Sequence, residues 1–566
     1  MPVDLSLRHR RSCYRIAFKF GATRAQRVCN RGETVIRRDF LRRTSTGLAS
    51  ALLPIPAVAQ GVPRGLQPGQ PARGQFDVRD YGATGDGVTI DTPAINRAID
   101  AAAATGGGSI VFPAGQYVCY TIRLKSHVSL QLAAGATIVA AEVPKEGTTT
   151  GGYDSAGPPQ PWEAYQDFGH NHWANSLIYG EGLEDISIYG PGLIWGKGLS
   201  RGEANELPHV DSPGVANKAI ALKNCRNVVL RDFSILLGGH FGILLTGTDN
   251  VVIDGLTIDT NRDGIDIDCC RNVRVDNCVV NSPWDDAICP KSSFALGYPR
   301  TTENVTISNC YVTGIYEFGS LLSGKFIRKS YSDVRKSVGR IKCGTESNGG
   351  FKGITITNCI FEGCRGLALE TVDGAHIEDI TVSNITMRGV IHSPLFLRLG
   401  KRMRGPKGAM PGVLRRVLFS NIVSSGAVAQ YPSIIAGVSD ALIEDIKLDN
   451  IYLHQIGGGT EQWSALQPLE KPDGYPEADM FGTLPATGFY IRFARNLELS
   501  NVEIATEQRD ARPAIWASDV DGLDVFRLRT PSGAPGYLLQ RVRNFRSFGS
   551  RNLPDRDQSS IDTLRF

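Results

Sequence analysis

Asn250-Val-Val-Ile-Asp-Gly255 and, 22 residues on, Asn272-Val-Arg-Val-Asp-Asn-Cys278 are one short strand written twice. Each alternates apolar residues at period two, opens on Asn and closes on a turn-forming Asn or Gly. Asn227-Val-Val-Leu-Arg-Asp232 stands 23 residues ahead of the pair, and Asn304-Val-Thr-Ile-Ser-Asn-Cys310 follows it. Further copies begin at Asp185, Gly353, Asp379, Arg416, Asp445 and Asn496. A strand repeat this short, with no helix between copies, cannot bury its apolar face alone and must stack on its neighbours. The economical solution is all-β, a right-handed parallel β-helix. Alternate side chains fill its interior, and the closing Asn residues stack from coil to coil while accepting the turn conformation. A propeller is the rival, but its blades are longer and carry a four-strand signature that these copies lack.

Working toward the N-terminus, Asp91-Thr-Pro-Ala-Ile-Asn-Arg-Ala-Ile has a helix start, with Thr92 as N-cap and Pro93 at N1. A short helix there would cover the open end of the coil. The expected organisation is one domain over 76–566, with a cap region at 76–140, main coils at 176–505 and C-terminal coils and tail at 506–566. Long insertions at 141–175, 314–338, 400–412 and 455–488 fall between rungs, so they project from the coil. If two of them wall off one end of a groove, the groove trims chain ends; if not, it cuts internally.

The formal charge of +4 over 566 residues hides an asymmetry. Residues 1–43 carry twelve Lys/Arg against three Asp/Glu, so the remainder is net negative and offers no basic surface for nucleic acid. No apolar run is long enough to span a membrane. Arg37-Arg38-Asp39-Phe40-Leu41, a weakly apolar stretch and Ala57-Val58-Ala59 resemble a bacterial twin-arginine export signal. The leader is therefore placed at 1–59 and a linker at 60–75, and the mature chain is expected in the periplasm or outside the cell, as a monomer. Twelve cysteines occur with no Cys-x-x-Cys pair. A zinc site is not expected; export would permit disulfides, while the recurrence of several cysteines at one repeat position reads more simply as stacked buried thiols.

Asn261-Arg262-Asp263-Gly264 and Asp285-Asp286 each lie just after a rung, and Asp263 and Asp285 are 22 residues apart, one rung interval. The two sites should lie on neighbouring coils, roughly one inter-strand spacing of 4.8 Å apart. Taken alone, each motif reads as turn chemistry. Together they meet the requirement of glycoside hydrolysis, an acid that protonates the leaving oxygen and a carboxylate that activates water. An inverting pair stands about 6.5–9.5 Å apart, and like charges that close raise at least one pKa.

The pattern resembles glycoside hydrolase family 28, the polygalacturonases that degrade pectin on a β-helix. The family's Asn-Thr-Asp is matched by Asn261-Arg262-Asp263, and its Asp-Asp-Cys-Ile-Ala-Ile-Lys-Ser by Asp285-Asp286-Ala-Ile-Cys-Pro-Lys291-Ser292. The likeness runs from about 76 to about 505. It implies an inverting hydrolase with no metal and no cofactor, acting on a pectic polysaccharide. Asp285 would be the general acid, and Asp263 and Asp286 would hold and activate the water. Asn261 and Lys291 would bind substrate.

Two departures matter. The family's Gly-His-Gly is here Gly339-Arg340-Ile341, ahead of Glu346, and its Arg-Ile-Lys is Ala368-Leu369-Glu370. Losing a bidentate cation clamp in favour of a carboxylate disfavours a uronate beside the scissile bond. A neutral sugar is expected there, with Glu370 accepting from its hydroxyls. Alternatively Arg262, Arg340, Lys342, Lys291 or Arg398 binds the uronate. Trp284 is a candidate stacking platform, and His170 or His172 a candidate replacement for the histidine. The rival activities are a β-helix polysaccharide lyase, with an Arg base and calcium on the acid cluster, and a non-catalytic glycan-binding coil.

Overall fold

The computed structural model describes residues 74–143, 152–166, 169–202, 212–531 and 533–566, all within one unit, Gly69–Phe566. The leader expected at 1–59, and the linker up to residue 73, lie outside the described residues.

Each rung supplies three strands, and each strand pairs in parallel with its counterparts one coil before and after. Asp249–Asp254 lies between Arg226–Arg231 and Arg271–Asp276. Thr257–Asp259 lies between Ser234–Leu236 and Val279–Asn281. Phe241–Thr246 lies between Lys218–Lys223 and Asp263–Asp268. The result is a right-handed parallel β-helix, the architecture that the repeat predicted. Val251, Ile253, Ile258, Ile265, Ile267, Val273 and Val275 are buried inside it. Each such side chain contributes about 1.5–3 kcal/mol on leaving water, and every coil repeats the contribution.

The corners explain the Asn residues. Closing Asn384, Asn421 and Asn450 form a ladder, each donating its side-chain amide to the one before, at 3.1, 3.1 and 2.8 Å. The opening Asn residues do the same. Asn250 donates to Asn227 at 3.0 Å, Asn272 to Asn250 at 3.1 Å and Asn304 to Asn272 at 3.2 Å. All four hold a left-handed backbone, with φ of 55° at Asn250, a conformation that Asn tolerates and most L-residues resist. Asn250→Ala loses two ladder bonds and the tolerance of that region that the Asn side chain confers. It should cost about 1–2 kcal/mol, read as a lower urea midpoint, with Asn250→Gly costing less.

Both ends of the coil are closed. The helix Thr92–Ala104 covers the first with Ala94, Ile95, Ala98, Ile99 and Ala102. It starts one residue earlier than expected. Asp91 occupies the cap position, but its carboxylate turns away to accept from the Thr84 and Gly85 amides at 2.7 and 3.0 Å, while Thr92 Oγ1 accepts from Tyr120 N. At the other end Arg556–Arg565 pairs antiparallel with Tyr537–Phe548, which removes an open edge that could template aggregation.

All ten cysteines of the described residues are free and buried. Cys278, Cys310 and Cys359 fall at the same register position on successive coils. Burial raises the thiols of Cys343 and Cys364 to about 12, which keeps these two unreactive in the native coil.

Candidate active site

Asp263 opens a strand whose Ile265 pairs with Ile288 on the next coil, and Gly264 N donates to Asp286 O at 3.0 Å. This register puts Asp263 level with Asp286. The coils approach so closely at Gly264 that a Cβ there would lie 2.4 Å from the Ala287 carbonyl oxygen and 2.6 Å from Val280. The turn that carries Asp285 is pinned by Ser282 Oγ, which donates to Arg262 O at 2.6 Å and Asp285 O at 2.9 Å. Oxygens of Asp263, Asp285 and Asp286 consequently lie within 4.8 Å of one another. The three acids are brought together, two of them at one level of adjacent coils; the 4.8 Å is the spacing of one oxygen from each, not the separation of whole carboxyl groups that an inverting pair keeps at about 6.5–9.5 Å.

Their environments differ. Asp285 is the one that reaches the cleft, its side chain 24% exposed, and it is paired to Arg262 at 2.8 Å. Asp263 and Asp286 are buried. Burial, with the neighbouring Asp266 and Asp285 carboxylates, holds Asp263 well above the ordinary carboxylate range. Burial pushes Asp286 the same way, but Lys342, which contacts its Oδ2, and Arg340, 2.9 Å from its Oδ1, outweigh it and hold it below. Neighbouring groups thus push the two carboxylates in opposite directions, Asp263 up and Asp286 down.

A second layer supports them. Lys291 stands 3.5 Å from Glu346 and 3.8 Å from Asp266, and His170 Nε2 lies 3.5 Å from Asp266. Burial alone would discharge Lys291 and His170, yet the two carboxylates keep both above their usual ranges. His170 is therefore at the site, on Asp266 rather than Asp286. The position aligned with the family histidine is held by Arg340, on Asp286. His172 instead pairs with Glu163 at 2.5 Å.

Lys342 pairs in register with Ala368 on the next coil, and Glu370 with Arg398 beyond. Ala368 is small for a reason: it packs under Met480 and Phe481 of the 458–488 insertion, with Phe396 and Tyr490. Glu370 is fully buried, 3.7 Å from Arg340, and burial pushes it up to about 7. It offers no oxygen to the cleft, contrary to the expectation that it accepts from sugar hydroxyls. Glu346 is likewise covered. Arg398 is no solvated loop cation; it donates to the backbone carbonyls of Gly437 and Lys471, each at 2.9 Å, and so holds the insertion. Asn261 is buried, its carbonyl accepting from Trp284 N at 3.0 Å. Trp284 is 41% exposed, edge-on to Phe318 and with Arg201 over its ring.

Trp284 and Asp285 line a cavity of about 570 Å³, with Lys342, Arg365, Tyr475 and Glu477. Insertions cover the outer face on both sides of it. Trp173 packs on Ala221, Phe241 and Leu244 over the preceding coils. Residues 478–486 pack on Ala368, Phe396, Ile434 and Trp516 over the following ones. What remains is a slot three strands wide, roughly 14 Å at the usual inter-strand spacing. Asp266 was missed in the sequence, although it is legible there: Ile265 and Ile267 point inward, so Asp266 and Asp268 point out. Glu477 had no local signal.

Residues 75–315 match the family model described as rhamnogalacturonase A/epimerase, pectate lyase-like. A probable polygalacturonase of Vitis vinifera is 25% identical over 319 residues, 52% of this chain and 61% of that protein, so the chain spans less than two thirds of that relative. An exo-poly-alpha-D-galacturonosidase of Dickeya chrysanthemi is 24% identical over 457 residues, covering 66% of this chain and 71% of its own. The plasmin and fibronectin-binding protein A of Streptococcus pneumoniae is 29% identical over 269 residues, 44% of this chain and 32% of that one. Among solved structures, the family 28 exopolygalacturonase of Yersinia enterocolitica superposes with a TM-score of 0.59 at 20% identity, covering 81% of this chain and 79% of its own. Over residues 75–315 this chain is similar to the rhamnogalacturonase A/epimerase, pectate lyase-like family, and it shares its coil with the solved exopolygalacturonases.

Proposed function

We propose that the protein is a glycoside hydrolase that removes sugars from the ends of pectic chains by single displacement. The observation that carries this reading is the convergence of Asp263, Asp285 and Asp286 within 4.8 Å at the wall of a cavity, with the two buried members pushed in opposite directions by their surroundings. Asp286, kept ionised by Lys342 and Arg340, takes a proton from water. The water oxygen attacks the anomeric carbon as the bond to the leaving oxygen breaks, and Asp285 gives that oxygen a proton. Asp263, whose carboxyl is held well above the ordinary range by burial and by its carboxylate neighbours, holds the acid's proton at rest, and Asp285, the member at the cleft, delivers it. Asp263 is thus the proton's store rather than a second water-activating base, a departure from the role that the family resemblance implies. Asp286 is too deeply buried to bond a sugar carbon itself, which favours attack through water and inversion over a covalent intermediate. The insertions packed on both sides of the cavity favour chain ends over internal cuts, in line with the names of the Dickeya and Yersinia relatives.

The test is product analysis on rhamnogalacturonan, xylogalacturonan and homogalacturonan oligosaccharides, with anomeric NMR. The expected result is release of mono- or disaccharides with inverted configuration. A product absorbing in the ultraviolet would assign the site to β-elimination instead. The pH profile of kcat/KM should fall on the acid side as Asp286 is protonated, below the ordinary carboxylate range. On the alkaline side it should fall as Asp263 loses its proton, above that range. An alkaline limb near pH ~4, the unperturbed aspartate value, would sink the assignment of the store.

A further inference from the structure

Glu477 lies on the insertion between the strands Ile443–Gly457 and Phe489–Gln508. Its carboxylate meets the Arg340 guanidinium at two points, 2.6 Å to Nη2 and 3.1 Å to Nη1. Arg365 Nη1 adds a contact at 3.1 Å, and His392 Nδ1 stands 3.6 Å away. Two-point capture is what a guanidinium offers any planar carboxylate, that of a uronate included. The segment is anchored on both sides of Glu477. Arg398 holds the carbonyl of Lys471, the Lys401 amide donates to Pro472 O at 2.6 Å, and Met480 and Phe481 enter the apolar cluster over Ala368.

The other deep cations of the site already face carboxylates of the chain: Arg262 faces Asp285, Lys291 faces Asp266 and Glu346, Lys342 faces Asp286, and Arg402 faces Asp373. A uronate carboxylate in this cavity would meet Arg340 and Arg365 with their places taken, and would lie against Glu477 and Asp285.

We infer that Glu477 is a specificity-determining residue: it is a built-in carboxylate seated where a uronate carboxyl group would bind, so that the sugar accepted beside Asp285 is neutral. The substrate class rests on the glycosidase reading above; the role of Glu477 does not require turnover.

The experiment titrates galacturonic acid and galactose into the wild-type chain, Glu477→Ala and Glu477→Gln, by isothermal calorimetry, with thermal unfolding as the check on folding. Galacturonate affinity should rise at least tenfold in both variants, with undetected wild-type binding taken as the lower bound. Galactose affinity should stay within twofold, and the galacturonate gain should shrink with salt. Equal gains for both sugars would mean that space, not charge, was released, and would overturn the inference, as would no gain for galacturonate. Should Glu477→Ala not fold, the Gln variant, which keeps the bulk, decides. If galacturonate binding is gained while neither wild type nor variants cleave any pectic oligosaccharide, the inference stands and the glycosidase reading falls.

Discussion

Asp285→Asn should abolish turnover, by about 10²–10⁴-fold in kcat, while leaving oligosaccharide binding and the unfolding temperature near wild type. The expectation follows from its placement. Asp285 has one strong partner, Arg262, on a part-exposed side chain, so replacing the carboxylate with an amide leaves no buried charge stranded. What is lost is the only member of the trio that can hand a proton into the cleft. Binding retained with turnover gone would exclude the reading of a non-catalytic glycan-binding coil. If turnover persisted within tenfold, the acid would have to be sought elsewhere. Asp263→Asn should behave differently. A buried carboxyl with a raised pKa stabilises the fold below its unfolded value and loses that contribution as pH rises through the folded value. The Asn variant should therefore gain thermal stability over wild type at alkaline pH even as activity falls.

Arg340→Met should be the most damaging single change to stability. Arg340 is buried and faces three carboxylates, those of Asp286, Glu370 and Glu477. Removing it leaves them uncompensated in a low-dielectric interior, a loss of about 3–5 kcal/mol by comparison with other broken buried pairs. The sign of the pH dependence can be worked out. Asp286 and Glu477 are held below their ordinary values, so the stability they contribute is present above the unfolded carboxylate pKa and fades as pH falls through the folded one. The deficit of Arg340→Met should thus be largest at pH 8 and smaller at acid pH, where the stranded groups take up protons. Thermal scans at pH 5 and pH 8 would read this, and adding Glu477→Gln should recover part of the loss. An unchanged midpoint at pH 8 would show that the cluster does not depend on its central cation.

The coil itself was legible in the sequence because one physical constraint recurs in every rung. Val251, Val273 and Val305 must face inward and Asn250, Asn272 and Asn304 must turn the corner, so the pattern repeats with the geometry. The same regularity made the meeting of Asp263 with Asp285 and Asp286 readable from a 22-residue interval. What the spacing could not supply was depth. Glu370 follows a strand position that looks exposed by alternation, yet it is buried, on a strand whose Ala368 packs under an insertion more than a hundred residues later. Glu477 joins Arg340 across 137 residues with no repeat to announce it. The substitution of Ala368 and Glu370 for a cationic pair was visible, but its cause, the packing of Met480 and Phe481, was not. Local periodicity reports what every coil shares; the chemistry of this site is set by segments that leave the coil.

The ten cysteines carry a consequence for the order of events in the life of the chain. Their protection is supplied by the stacked interior: an unfolded copy would present these ten sulfurs, besides Cys13 and Cys29, able to cross-link in many combinations, whereas in the finished coil all ten are buried. Were such a chain to meet an oxidant before coiling, mispaired bridges would trap it. A route that completes assembly in a reducing compartment and only then delivers the product outward would yield a single covalent species, and that is the kind of itinerary the paired arginines near residue 37 would request.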